Sequence, residues 1–245
     1  VAIEFESHVC DTGGTGVFGT SDGSKHITMT VGAGGANAGD LLVLGVASGA
    51  FPTGPLASVT DSQGNSWTAA KVATPTTFHQ VEIWACRPAK ALVNGDTIVL
   101  TTFAVGDSYQ AGVDEFSGFT GPPGYVIDVS NSTMLQGPTA PVAACSVTTT
   151  HSPDLVYCVI GSDGDPIDIV ATGMTLGFMP LTGFNCGHFE WIIRTTPGTN
   201  STSDGAPTFT STTDQDIAVV AFSGSTLGVP GNFGGTKSGF PAGIS

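Results

Sequence analysis

Charge is scarce in this chain. Of its 245 residues, only 11% are Asp, Glu, Lys or Arg, about half the usual share. Basic residues are the scarcest. Lys25, Lys71, Arg87, Lys90, Arg194 and Lys237 stand scattered against twenty acidic residues, for a formal net charge of −14. A nucleic-acid partner needs a basic patch that replaces condensed counterions. Six scattered cations do not make one, so no nucleic-acid partner is expected. The same shortage disfavours anionic membrane surfaces. Apolar runs are short as well. None approaches the roughly 20 residues that cross a bilayer, so no membrane insertion is expected.

Helix signals are missing too. The best stretch, Ala89-Lys-Ala-Leu-Val-Asn-Gly95, ends in Asn-Gly after one or two turns. Cysteine is sparse and odd in number: Cys10, Cys86, Cys145, Cys158 and Cys186. No pair has metal-ligand spacing, and Cys86 and Cys158 lie inside apolar runs, where a thiol packs as a small hydrophobe. Buried thiols are expected rather than a disulfide framework. The first residues, Val1-Ala-Ile-Glu-Phe-Glu6, read as a strand rather than as a basic, then apolar leader. Either a leader has been removed, or the protein is assembled in the cytoplasm.

What is abundant points to strands. Thirty-five glycines and fifteen prolines accompany many Ser and Thr, and 40% of residues are hydrophobic. Short apolar or alternating runs recur at Val1–Glu6, His26–Val31, Asp40–Ala47, Ser66–Val72, Gln80–Cys86, Asp96–Thr102 and Tyr109–Phe116. They continue at Tyr125–Val129, Val142–Thr149, Asp154–Ile160, Met174–Leu181, His188–Arg194, Pro207–Ser211 and Asp216–Phe222. Turn residues separate them. This is the profile of an all-β protein, an antiparallel sandwich.

The chain also echoes itself. Gly39-Asp-Leu-Leu-Val-Leu resembles Pro153-Asp-Leu-Val-Tyr-Cys. Trp67-Thr68 resembles Met174-Thr175. Val81-Glu82-Ile-Trp84 resembles Phe189-Glu190-Trp191-Ile, and Glu115-Phe-Ser-Gly118 resembles Ala221-Phe-Ser-Gly224. The last three pairs keep a nearly constant offset. The sequence therefore predicts two similar halves, echoing over about 26–118 and 146–224. Each half holds few strands for an independent sandwich. One intertwined domain over 1–224, jelly-roll-like, is the expectation. Residues 225–245 are rich in Gly with Pro230, Pro241, Phe233 and Phe240. They read either as a solvated tail or as an extended arm that orders on a neighbour.

Several motifs carry chemistry elsewhere, but each has a plainer reading here. Gly14-Thr-Gly16-Val-Phe-Gly19 matches a dinucleotide fingerprint, with Asp40 downstream. The helix whose N-terminus would hold the pyrophosphate is absent, since Ser21-Asp-Gly-Ser-Lys25 forms turns. No cofactor is expected. Gly19-Thr-Ser21-Asp-Gly23 matches a nucleophile elbow without the strand-to-helix turn that elbow needs. His26, His79, His151 and His188 are available as bases, but any chain with this many histidines offers such partners.

Paired carboxylates carry more weight, because sandwich-fold glycosidases place two across one sheet. Glu82 and Glu190 hold equivalent places in the echo, and Asp114-Glu115 lies in another strand. All are equally explained as repeated structural positions. Asp163, Asp165 and Asp168, and Asp61 through Asn65, have the composition of calcium loops and equally of tight turns. Asn131-Ser-Thr and Asn200-Ser-Thr are sequons that matter only in a eukaryotic secreted chain. Trp67, Trp84, Trp191, Tyr109 and Phe78 serve either as core or as a sugar-stacking face. From the residues alone, no catalytic, cofactor or metal site is assigned, and the protein is not expected to be an enzyme.

The run from Asp40-Leu-Leu-Val-Leu-Gly through Val59-Thr-Asp-Ser-Gln-Gly-Asn-Ser-Trp67 and Glu82-Ile-Trp84 to Glu115-Phe-Ser-Gly118 resembles a loose group of β-sandwich domains. These occur in minor tail and other virion proteins of tailed phages and in actinobacterial secreted proteins. The likeness spans about residues 26–224. It implies a structural virion protein, either a tail component or a capsid decoration protein. Its partners would be itself, other virion proteins and host surface glycans, and its location the virion. The alternatives are a carbohydrate-binding module or adhesin, secreted outside the cell, and third a glycoside-active enzyme. The group shares no catalytic residues to carry over.

Overall fold

In the computed structural model, the described residues are 2–12, 19–20, 25–49, 54–73, 79–102, 108–120, 125–135, 145–162, 174–177, 186–201 and 215–224. They form strands and no helix. The first half holds β1 (Glu4–Asp11), β2 (Gly19–Thr20), β3 (His26–Thr30), β4 (Leu41–Gly49), β5 (Ser58–Asp61), β6 (Thr68–Val72), β7 (His79–Cys86), β8 (Thr97–Thr101) and β9 (Ser108–Ser117). The second holds β10 (Val126–Leu135), β11 (Ser146–Thr148), β12 (Asp154–Ser162), β13 (Thr175–Leu176), β14 (Cys186–Arg194), β15 (Thr199–Ser201) and β16 (Gln215–Ser223). Every ladder is antiparallel. The sequence expectation of an all-β antiparallel sandwich holds.

Each half builds one large and one small sheet. The large sheets run β1-β9-β4-β7-β6, with β2 also on β9, and β10-β16-β12-β14-β13. The small ones are β3-β8-β5 and β11-β15. The strand order is the same in both large sheets once the halves are matched. Even a detail of the edge strands repeats. β1 is bulged just after the residue facing Phe116, and β10 just after the residue facing Phe222. The interleaving of halves expected from sequence is not how the described strands pair, because each sheet draws on one half only. Residues 225–245, read as a tail or arm, lie outside the described residues.

Among the described residues, three cores stack in series. The first lies between the small and large sheets of the first half, around Met29, Leu42, Leu44, Ile98 and Val113. The second lies between the two large sheets and joins the halves, with Leu41, Val43 and Ile83 meeting Tyr157, Phe189 and Phe222. The third lies inside the second half, around Val147, Cys158, Ile160 and Val219. This explains a feature of the sequence. Successive side chains of a strand point to opposite faces. Leu42, Leu44 and Val46 of β4 enter the first core, while Leu41, Val43 and Ala47 enter the shared one. A strand covered on both faces reads as an unbroken apolar run rather than as alternation.

Candidate functional site

The carboxylates flagged by sequence do not converge. Glu82 points into the first core, 1% exposed. The Leu56 amide donates to its Oε1 at 2.8 Å, and Trp84 Nε1 donates to its Oε2 at 2.8 Å. Burial raises its pKa, against the pull of those two bonds. Glu190 is also fully buried, with its Oε1 2.5 Å from His188 Nε2. It lies opposite Cys158 on β12, whose side chain belongs to the third core. Two layers of sheet separate the carboxylates, so they form no pair across a cleft.

Their equivalence needs correcting as well. Leu41 faces Phe116 and Leu155 faces Phe222 at matching places. Further along the same strands, Val46 faces Glu82 and Ile160 faces His188. His188 is therefore the counterpart of Glu82, and Glu190 that of Trp84. The matching positions hold matching devices, since each is a polar pair two residues apart, hydrogen-bonded inside its own sandwich.

The other flagged acids hold the fold together. Asp114 faces the join between halves. Its Oδ1 lies 2.8 Å from His8 Nδ1, and its Oδ2 accepts from the Tyr157 hydroxyl at 2.8 Å. His8 Nε2 also lies 3.0 Å from Asp11 Oδ2. Burial opposes charge on this imidazole, but the two carboxylates prevail and raise its pKa. Asp61 accepts the Gln63 and Asn65 amides on Oδ1, each at 3.0 Å, and Trp67 Nε1 on Oδ2 at 2.9 Å. With Gly64 at φ 74°, this is a side-chain-closed turn rather than a calcium loop. Asp163, Asp165 and Asp168, Ser21, Phe78 and most of the Gly14–Gly19 motif lie outside the described residues. No cluster of three or more His, Cys, Asp or Glu among the described residues is arranged to hold a metal.

The aromatics are mostly interior. Tyr109 is fully buried, and Trp67 and Trp84 are 9% exposed. Trp191 is half-buried and stacks on Phe5, with centroids 5.1 Å apart. They form no row on an exposed sheet face. Cys10, Cys86 and Cys158 are buried free thiols, and Cys145 is buried as well. Burial pushes Cys10 and Cys86 up to about 12 and Cys145 up to about 11.

A paired acidic corner opens the leading strand of each half. Glu115, nearly buried, receives the Asn37 amide at 2.6 Å and the Ser7 hydroxyl at 3.0 Å. Burial and the neighbouring Asp40 raise its pKa. In the second half, Asp154 is fully buried. Neither of its carboxyl oxygens has a well-formed hydrogen bond among the described residues. Burial and the adjacent Asp128 push it up to about 6. Asp128 itself is partly buried, which favours protonation. The Thr150 hydroxyl and amide, each at 2.5 Å, and His151 at 2.8 Å outweigh this and hold it below the usual carboxylate range.

Sequence reasoning passed over one surface feature. Arg87 follows β7 and is fastened by two backbone carbonyls: Nε donates to Gly39 O and Nη2 to Phe119 O, both at 2.9 Å. Concave surfaces flank it. One, of about 340 Å³, runs along Ala38, Gly39, Pro88 and Ala89. The other, of about 330 Å³, is lined by Asn65, Ser66, Thr68, Lys90 and Tyr125. Tyr125 leads into the second half and donates its hydroxyl to Thr68 O at 3.2 Å, so this cleft sits where the halves join. Nothing but the isolated cations Arg87 and Lys90 marked it in the sequence.

No family model, no curated protein and no solved structure matches this chain.

Proposed function

We propose that the protein is a structural component of a tailed-phage virion, a tail part or capsid decoration protein, that acts by docking rather than by catalysis. Its partners in this reading are copies of itself and other virion proteins, with exposed loops available to host surface glycans. The reading starts from the sequence resemblance. The observation that carries it further is the outer edge of β10. Ten residues long, β10 ends its sheet, and among the described residues no strand pairs with its free side. Proteins normally guard such edges with lysine, proline, a charge or a β-bulge. Here Val126-Ile-Asp-Val-Ser-Asn-Ser-Thr-Met-Leu135 holds no basic residue and no proline. Its one acid, Asp128, is engaged with Thr150 and His151. Ile127 is 37% and Met134 48% exposed. Beyond the bulge at Ile127–Val129 the edge carries none of these guards, and such a stretch is a template for strand addition by a partner chain.

The test is the solution mass of three proteins: the full chain, the chain ending at Gly224, and the full chain with Met134→Lys. Assembly through β10 predicts a defined oligomer that Met134→Lys reduces to monomer. Loss of the oligomer only on truncation moves the contact to residues 225–245 and keeps the structural reading. If all three are monomers, self-assembly is excluded.

A further inference from the structure

We infer that the cleft between Arg87, Lys90 and Tyr125 is a binding site for a carboxylate-bearing sugar, such as a uronic acid residue of a surface glycan. The inference adds to the assembly reading and does not depend on it.

Charge distribution is the first argument. The chain has six basic residues against twenty acidic ones, and two of the six line one cleft of about 330 Å³. In so acidic a protein, a concave spot with two cations is where a small anion meets attraction rather than repulsion.

Preorganisation is the second. The Nε and Nη2 bonds of Arg87 fix its guanidinium plane against two separate loops. Lys90 and Asn65 form a reciprocal clamp: the Lys90 amide donates to Asn65 Oδ1 at 3.0 Å, and Asn65 Nδ2 donates to Lys90 O at 3.1 Å. The Lys90 ammonium donates to Gln63 O at 3.1 Å. One carbonyl satisfies one of its three donors and leaves its charge unneutralised. Cations already held in place lose little freedom when a ligand arrives.

The remaining lining defines the ligand class. Ser66 and Thr68 present exposed side chains whose hydroxyls make no side-chain hydrogen bond among the described residues. Tyr125 adds a phenol whose oxygen still has accepting capacity after donating to Thr68 O. A carboxylate takes a charge-assisted bond from the Lys90 ammonium, and ring hydroxyls match the Ser, Thr and Tyr oxygens. A bare inorganic anion would leave that hydroxyl wall unused. Small-ligand sites also favour junctions between structural units, and Tyr125 comes from the segment leading into the second half.

The experiment is an amide-resolved NMR titration of the full chain with trigalacturonate, with a neutral trisaccharide and with sulfate. Saturable shifts at Asn65, Ser66, Thr68, Ala89 and Lys90 are expected with trigalacturonate alone. Lys90→Gln removes the ammonium but keeps the backbone clamp and the fold. It should weaken trigalacturonate binding roughly fivefold to tenfold. Absence of shifts in the cleft, equal response to sulfate or the neutral sugar, or unchanged affinity in Lys90→Gln each overturns the inference. The oligomer masses are unaffected by any of these results, so the two proposals fail separately.

Discussion

Gly45 of β4 lies directly beneath the ring of Phe189 of β14, in the core where the two halves meet. A Cβ at residue 45 would stand 2.6 Å from Phe189 Cε1, closer still to Cδ1, and 3.0 Å from Val159 Cγ2. The close approach of the large sheets depends on the missing side chain. Gly161 repeats the device from the other side, where a Cβ would come 2.8 Å from Val81 Cγ1.

Gly45→Ala therefore overpacks the join. A loss of about 1–3 kcal/mol is expected, read from the urea midpoint. Phe189→Leu in the Gly45→Ala background should recover part of it, because the smaller side chain makes room. An unchanged midpoint in Gly45→Ala would mean that the sheets shift apart without cost.

Glu82 is buried with each oxygen filled by one N–H donor. Glu82→Gln keeps the shape but turns an NH₂ group toward one of those donors. A buried N–H left without an acceptor costs about 1–3 kcal/mol, so Glu82→Gln should lower thermal stability by several degrees. If the variant is as stable as the parent, the carboxylate is not the organiser of Leu56 and Trp84 described above.

Stability should rise as pH falls from 8 toward 5. The sign follows from the shifted groups. Asp154 has its folded pKa raised to about 6, so the folded state binds the proton more readily than the unfolded one. Its protonation favours folding, and that benefit is lost as pH climbs through about 6. Glu82 and Glu115 are raised too and act in the same direction. His8 is raised, so its stabilising charge is present in mild acid and disappears as pH rises through its folded value. Asp96 and Asp128 are lowered and act oppositely, so their contribution is lost only in stronger acid. Melting temperatures measured from pH 4 to 8 should be highest on the acid side of neutral. Asp154→Asn should raise the melting temperature at pH 8 and flatten the profile. A profile rising toward pH 8, or an Asp154→Asn profile as steep as that of the parent, contradicts this account.

Much of the fold was legible along the chain. Apolar runs bounded by Gly, Pro and Asp located β4, β7, β9, β12, β14 and β16 within a residue or two. The echo marked two halves with one strand order. The misses have physical causes. Ser58–Asp61 is too short and polar to register, yet it pairs with β8 through a full ladder. Ser130–Leu135 extends β10 well beyond the expected Val129. Its polar composition belongs to a strand with one wet edge, and in the sequence its Asn131-Ser-Thr registers only as a sequon. In the sequence Glu82 lines up with Glu190, because each is an acid close to a Trp, whereas ladder register matches Glu82 to His188. The cleft at Arg87 left almost no trace, because its lining comes from three separated segments.

By itself, the sequence determined the strand content, the duplication and the poverty of positive charge. Each of these follows from local chemistry: β-branched and apolar residues in short runs, turn formers between them, and a count of ionisable groups. Tertiary structure alone decided which strands share a sheet and which face of β4 meets which core. It also decided that Glu82 and Glu190 lie in different interiors, and that Arg87, Lys90 and Tyr125 meet at one surface. Those outcomes depend on contacts between residues far apart in the chain, where packing of whole sheets, rather than any local preference, sets the partners.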